Sequence, residues 1–396
     1  MKKVYYNNFN NIDKNTTIVY LKNKFNKPLN NLPPHILEII FGKKFNQCVD
    51  NLPIKLICVK FGIYFNQYVD NLPDLVNLKF GYKFNQSINN LPLSLIYLEI
   101  NSNYCVNQLD LSRLEKLESI VFDPDPNLFL NYYCYCNNIL KNKKYISKLN
   151  ETNLFFTNLI DKLPKNIKSI DIPCMFNEYL TIKNQNITSL YFGWNFNKSI
   201  EYNMPNNLNI LHLGSKFNHP IDNLPINLSI LYLGIRFNQS VDNLPSKLIK
   251  LVLKDDFNHP IDNLPTNLEI LHLGIRFNQS VDNLPTKLKY LKFGCCFNQS
   301  IDNLPTSIIG LKLSVSFVNT LDNLPNNLII LNLENTKHEF DLNLLPNSIE
   351  TLILNENYDK KIFKYPNNLK KLKCSSKYKF AKNLKKCKIK HYHIYL

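Results

Sequence analysis

The sequence predicts a β-rich repeat solenoid of about sixteen coils of about twenty residues, with one parallel sheet and little helix. Three observations lead there. Runs close to FNQSVDNLP return about every twenty residues and set Phe237, Phe257, Phe277, Phe297 and Phe317 in one column. A segment of the form L-x-x-L-x-L precedes each run, and a proline ends it. A unit this short cannot bury its own apolar face, so its leucines and phenylalanine find a core only if neighbouring units stack.

One unit, Leu268 to Pro285 (LEILHLGIRFNQSVDNLP), shows the local logic. Alternation places Leu271 and Leu273 on the inner face of a strand and leaves Ile270 and His272 on the outer one. Gly274 breaks the strand. Phe277, Val281 and Leu284 follow as inward anchors separated by polar residues, and Pro285 favours an extended, non-helical return. The strand segment is that of leucine-rich repeats, although Phe277 and Asn278 lie four and five residues beyond the strand, where such repeats carry asparagine at three; the outer turn therefore differs in detail. A parallel β-helix is the alternative architecture.

FNQSVDNLP joined to L-x-x-L-x-L-G resembles the FNIP repeat, known from proteins of amoebae and of the large viruses that infect them, and the resemblance covers most of the chain. It implies a leucine-rich-repeat-like solenoid, sometimes joined to an N-terminal F-box that recruits a ubiquitin ligase. The first repeat strand, near Val19 to Leu21, starts too early to leave room for that F-box.

Along the chain, residues 1–14 are read as an N-terminal cap and 15–122 as repeats anchored by Phe25, Phe45, Phe65, Phe84 and a degenerate Tyr104. The pattern lapses over 123–155, from the turn signal DPDP onward, in an insertion or a degenerate coil. Repeats resume over 156–374 with Phe156, Phe176, Phe196, Phe217, the five-residue column above, Phe340 and Tyr358. Residues 375–396 form a lysine-rich cap whose end, KCKIKHYHIYL, alternates like an edge strand protected by lysines.

Composition narrows the function. The net charge of +16 comes mainly from the end of the chain: thirteen lysines lie between Lys360 and Lys390 and no acid follows Asp359, so the remaining 34 basic residues face 31 acids. With only three arginines, Arg113, Arg236 and Arg276, the array lacks the preferred group for bidentate phosphate or base recognition, and a nucleic-acid partner is disfavoured. The N-terminus has no apolar stretch of signal type and no apolar run reaches a membrane span, so the expectation is a non-secreted, cytoplasmic monomer (host-cell cytoplasm if the chain is viral) without membrane contact. Ten scattered cysteines form no CxxC pair, which suggests neither a disulfide framework nor a zinc site.

No HExxH, no GxSxG and no glycine-rich phosphate loop occurs, so the reading is no enzyme, no catalytic residue, no cofactor and no metal. The aspartates repeated at Asp222, Asp242, Asp262, Asp282 and Asp302 supply one carboxylate per coil, too few for calcium, and are read as turn caps. The asparagines after the phenylalanines, such as Asn258 and Asn278, are read as a buried ladder that satisfies backbone groups, and His219 and His259 as surface variants of that turn.

The remaining candidate is the outward row of the sheet. Tyr191, His212, Tyr232, Val252, His272, Lys292 and Lys312 occupy one exposed column and Tyr290 its neighbour, a mixture of aromatic, aliphatic and singly charged groups suited to a protein partner. Function is accordingly read as a protein-binding scaffold. A structural or nucleic-acid-associated protein using the lysine-rich end is the alternative, and a ubiquitin-ligase adaptor without an F-box a weaker one.

Overall fold

The computed structural model describes residues 5–6, 12–30, 32–101, 111–123, 160, 163–200, 204–383 and 387–391. The chain falls into two compact units, Met1–Phe196 and Asn197–Leu396. The segment 124–155 and the anchors Tyr104 and Phe156 lie outside the described residues.

Unit 1 carries strands β1 (Tyr5–Tyr6), β2 (Ile18–Leu21), β3 (Glu38–Ile40), β4 (Cys58–Lys60), β5 (Asn77–Lys79), β6 (Tyr97–Asn101), β7 (Ser119–Asp123), β8 (Ser169–Asp171) and β9 (Ser189–Tyr191). Each pairs in parallel with the next in chain order. Unit 2 repeats this with β10 (Ile210–His212), β11 (Ile230–Tyr232), β12 (Lys250–Val252), β13 (Ile270–His272), β14 (Tyr290–Lys292), β15 (Gly310–Lys312), β16 (Ile330–Asn332), β17 (Thr351–Ile353), β18 (Lys371–Cys374) and β19 (Lys388–His391). Helix is nearly absent among the described residues: a 3₁₀ segment, Lys379–Asn383, and a helical residue at Ile160. A repeat described throughout, such as 257–276 or 277–296, has one strand, and the rest of the coil is turns and extended chain. That is the leucine-rich-repeat-like arrangement and not a β-helix.

Three inward side chains per strand segment, as in Leu268, Leu271 and Leu273, are shielded from solvent, and the phenylalanines sit behind them. Phe237, Phe257, Phe277 and Phe317 are 0% exposed and Phe297 1%. Successive rings in this column lie 6.1–6.2 Å apart and within 12° of parallel, an offset stack that continues the repeat of the sheet behind it. The column runs further than the sequence reading takes it: Tyr378, twenty residues after Tyr358, is 3% exposed with its ring 5.8 Å from that of Tyr358. One coil of the segment 375–396 therefore belongs to the array, and β19 pairs in parallel beyond it.

Polar ladders stitch the outer turns. The Asn258 side-chain Oδ1 accepts the backbone N–H of Asn278, and Asn278 Oδ1 that of Asn298, at 2.9 and 2.8 Å. These asparagines satisfy backbone donors, but from the surface: most are exposed, and the ladder is not a buried one. His219 and His259 stand where other coils have glutamine and make its contact, each Nε2 lying 3.0 Å from the backbone carbonyl of the preceding coil's asparagine. The aspartates behave differently from the caps expected of them. Asp282 accepts the Ser280 hydroxyl within its own turn and the Asn303 side-chain amide from the next coil, at 2.7 and 3.0 Å. These bonds hold its carboxyl below the usual range, the serine contributing most.

Candidate partner-binding face

On β10–β15 the middle residue of each strand points inward and the two flanking residues outward. Parallel pairing without register shift places His212, Tyr232, Val252, His272, Lys292 and Lys312 side by side in one column, with Ile210, Ile230, Lys250, Ile270, Tyr290 and Gly310 in the other. The two columns contain Lys250, Lys292 and Lys312 and no acid. Tyr290 and Lys292 are exposed, whereas His212, Tyr232, Val252, His272 and Lys312 are half-buried by their neighbours. Tyr191 occupies the equivalent outward position on β9 of unit 1 and is half-buried there.

Local contacts order this surface. The rings of His212 and Tyr232 lie 5.5 Å apart, and the Lys250 ammonium sits 5.0 Å from the Tyr232 ring centroid, within cation–π range. Tyr290 lies across the next rung at Gly310: a Cβ there would come within 2.6 Å of Tyr290 Cδ1. Only glycine leaves that ring its place, a dependence between neighbouring coils that reading one repeat at a time does not reveal. At the far end, Glu334 meets Lys312 at 4.0 Å and Lys373 at 2.7 Å.

Partial burial pushes the His272 imidazole below its ordinary value, and the ammonium groups of Lys292 and Lys250 push it the same way. The folded face thus resists a proton that the unfolded chain accepts below pH 6.5. Stability is fully present above 6.5, declines as pH falls between that value and the lowered one, and declines no further below it. Titration of the His272 Hε1 resonance should give a midpoint under 6.5, and Lys292→Gln should move that midpoint upward.

The corresponding face of unit 1 has a different character. Glu38 meets Lys60 at 2.9 Å, Lys79 pairs with Glu99, and the Tyr97 hydroxyl donates to Glu99 at 3.0 Å, around an open groove of about 540 Å³. Burial, reinforced by Glu38, pushes the Cys58 thiol there up to about 11, so it is a poor nucleophile. The lysine-rich end is partly engaged as well: Lys370 pairs with Glu350 at 2.5 Å and Lys373 with Glu334. Among the described residues there is no group of three or more His, Cys, Asp or Glu that could hold a metal, and no helix long and apolar enough to cross a membrane.

The parallel one-strand coils, with their leucine core, define a leucine-rich-repeat-like solenoid. Residues 257–296 match the family model FNIP Repeat, so this stretch of the chain carries FNIP repeats. Among solved structures it is similar to the circular LRR protein CroV588 of a giant virus, at 30% identity and a TM-score of 0.65 over 92% of this chain. The chain spans about half, 54%, of the length of CroV588. It also resembles the protein in the TLR13–ssRNA13 complex (TM-score 0.52, 16% identity, 95% of this chain and 67% of that one), a likeness of fold alone. No curated protein sequence matches the chain.

Proposed function

We propose that the protein is a non-enzymatic scaffold that binds another protein on the outward face of β10–β15. The observation that carries this reading is the composition of the face: aromatic and aliphatic side chains held in two ordered columns, with three lysines and no acid among them. A partner that complements it presents apolar groups interspersed with carboxylates, so that burial supplies affinity and the lysines supply register and speed of encounter. Leucine-rich-repeat-like solenoids are commonly used for protein interaction. Tyr232 and Tyr290 are the natural anchors, since aromatic residues dominate binding energy at such interfaces.

The test is selection of ligands from a displayed peptide library on the full chain. Enriched sequences should combine aspartate or glutamate with apolar residues. The double variant Tyr232→Ala/His272→Ala should weaken capture of these ligands at least about tenfold, as loss of two central side chains at an interface implies, while the chain still unfolds in a cooperative transition above the assay temperature. Capture that survives in the double variant would move the binding surface off this face.

A further inference from the structure

We propose that a second surface, the turn rim of unit 1 that follows β2–β5, binds single-stranded nucleic acid. In each of these coils the backbone turns sharply between the strand and the anchoring phenylalanine. The bonds Phe25 N–H to Lys22 O, Phe45 N–H to Gly42 O, Phe65 N–H to Gly62 O and Phe84 N–H to Gly81 O close the turns at 2.9–3.3 Å. Two residues at each corner project outward: Asn23 and Lys24, Lys43 and Lys44, Ile63 and Tyr64, Tyr82 and Lys83. Bonds from Lys44 N–H to Asn23 O, Tyr64 N–H to Lys43 O and Lys83 N–H to Ile63 O, at 2.9–3.0 Å, hold the corners in step. Their side chains therefore follow one another at the rung spacing of about 5 Å.

The charge on this rim is uncompensated. Lys22, Lys24, Lys43, Lys44 and Lys83 are all exposed, and none makes an ion pair among the described residues. No acid occupies any of the four corners, and Glu38 and Glu99 are already paired with Lys60 and Lys79 on the sheet face. Unit 2 treats the same position otherwise: Asp256 draws in both Arg236 and Arg276, at 3.2 and 3.3 Å, and neutralises its corners. Lys22, Lys24, Lys43 and Lys44 stand on adjacent rungs, within a Debye length of one another, and repel; a polyanion laid along them and on to Lys83 removes that repulsion while releasing its own counterions.

Tyrosines interleaved with the lysines select among polyanions. Tyr64 is 53% exposed, in the corner position that Lys44 and Lys83 fill in the coils on either side. Tyr82 lies at the next corner, with the Lys83 ammonium 5.3 Å from its ring centroid. A line of ammonium groups punctuated by accessible rings is the arrangement that holds single strands, in which phosphates meet the cations and unpaired bases stack on the aromatics. Double-stranded nucleic acid offers no free base faces, and acidic polypeptide no bases at all.

Binding of fluorescein-labelled oligo(dT) and oligo(U) to the full chain, followed by anisotropy over a salt series, tests this. The variant Lys24→Gln/Lys43→Gln/Lys44→Gln/Lys83→Gln alters only exposed side chains; it should lower affinity at least about a hundredfold at low salt and flatten the slope of log K against log salt by roughly 2.8. Tyr64→Ala should weaken binding by at least about fivefold and leave that slope unchanged. A control with Lys370, Lys377 and Lys379 changed to Gln should bind as the unaltered chain does. The proposal is overturned if the quadruple variant binds normally, if the control loses binding instead, or if Tyr64→Ala has no effect while polyglutamate competes as well as oligo(U).

Discussion

Phe277→Ala is expected to destabilise unit 2 by about 3–5 kcal/mol, among the largest effects of any single substitution in the chain. Phe277 is fully buried, and its ring lies 6.1 Å from Phe257 on one side and 6.1 Å from Phe297 on the other. Removing it leaves a void that those rings cannot fill, since each is itself held by the next member of the stack. Because coils contact only their neighbours, the damage should be local. Hydrogen exchange should accelerate most for amides of β12–β14 and least for β17 and β18. Uniform acceleration across the unit would show that it opens as one block, and an unchanged melting curve would contradict the structural role of the column.

The second large effect is expected at Gly294. A Cβ built there meets Gly274 O at 1.8 Å and Gly274 C at 2.2 Å, both backbone atoms of the preceding coil that cannot swing aside. Gly294→Ala should therefore push adjacent turns away from each other, at a cost of about 1–3 kcal/mol, the range found when extra atoms are forced into close packing. Lys254 and Ser314 fill the same position in other coils, so the solenoid can open a corner locally, which keeps the effect below that of losing Phe277. Thermal denaturation compared with Ser316→Ala, an exposed position in the neighbouring turn, would measure it. Equal melting temperatures for the two variants would mean that the corner yields at no cost.

Much of this architecture was readable because it is written many times over. The twenty-residue period exposes Phe237 to Phe317 as a column, and the alternation about Leu271 and Leu273 assigns the inner and outer faces before any coordinates are known. Tyr378 escaped because its ring type and lysine-rich setting disguise an ordinary anchor. The partners of Asp282 and Asn278 escaped for another reason: their bonds run between coils, and a linear text does not say which polar atom faces which twenty residues on. The same blindness affects charge. Totals taken over the array, nearly balanced, conceal corners after β2–β5 that carry lysines and no acid, and a second unit whose arginines are bridged by Asp256. As for the outward row on β10–β15, its location followed from alternation, but the hold of Gly310 on Tyr290 required neighbouring rungs to be seen together.

The ladders of the outer turns bear on how such a chain can evolve. Within unit 2, each interior repeat from Asn238 to Asn298 gives to one side what it receives from the other, through the same pair of atoms. Duplication or loss of a complete module by unequal recombination would leave every donor matched, whereas an incomplete one would deprive an amide of its acceptor. Lineages carrying this chain should accordingly differ by whole numbers of modules.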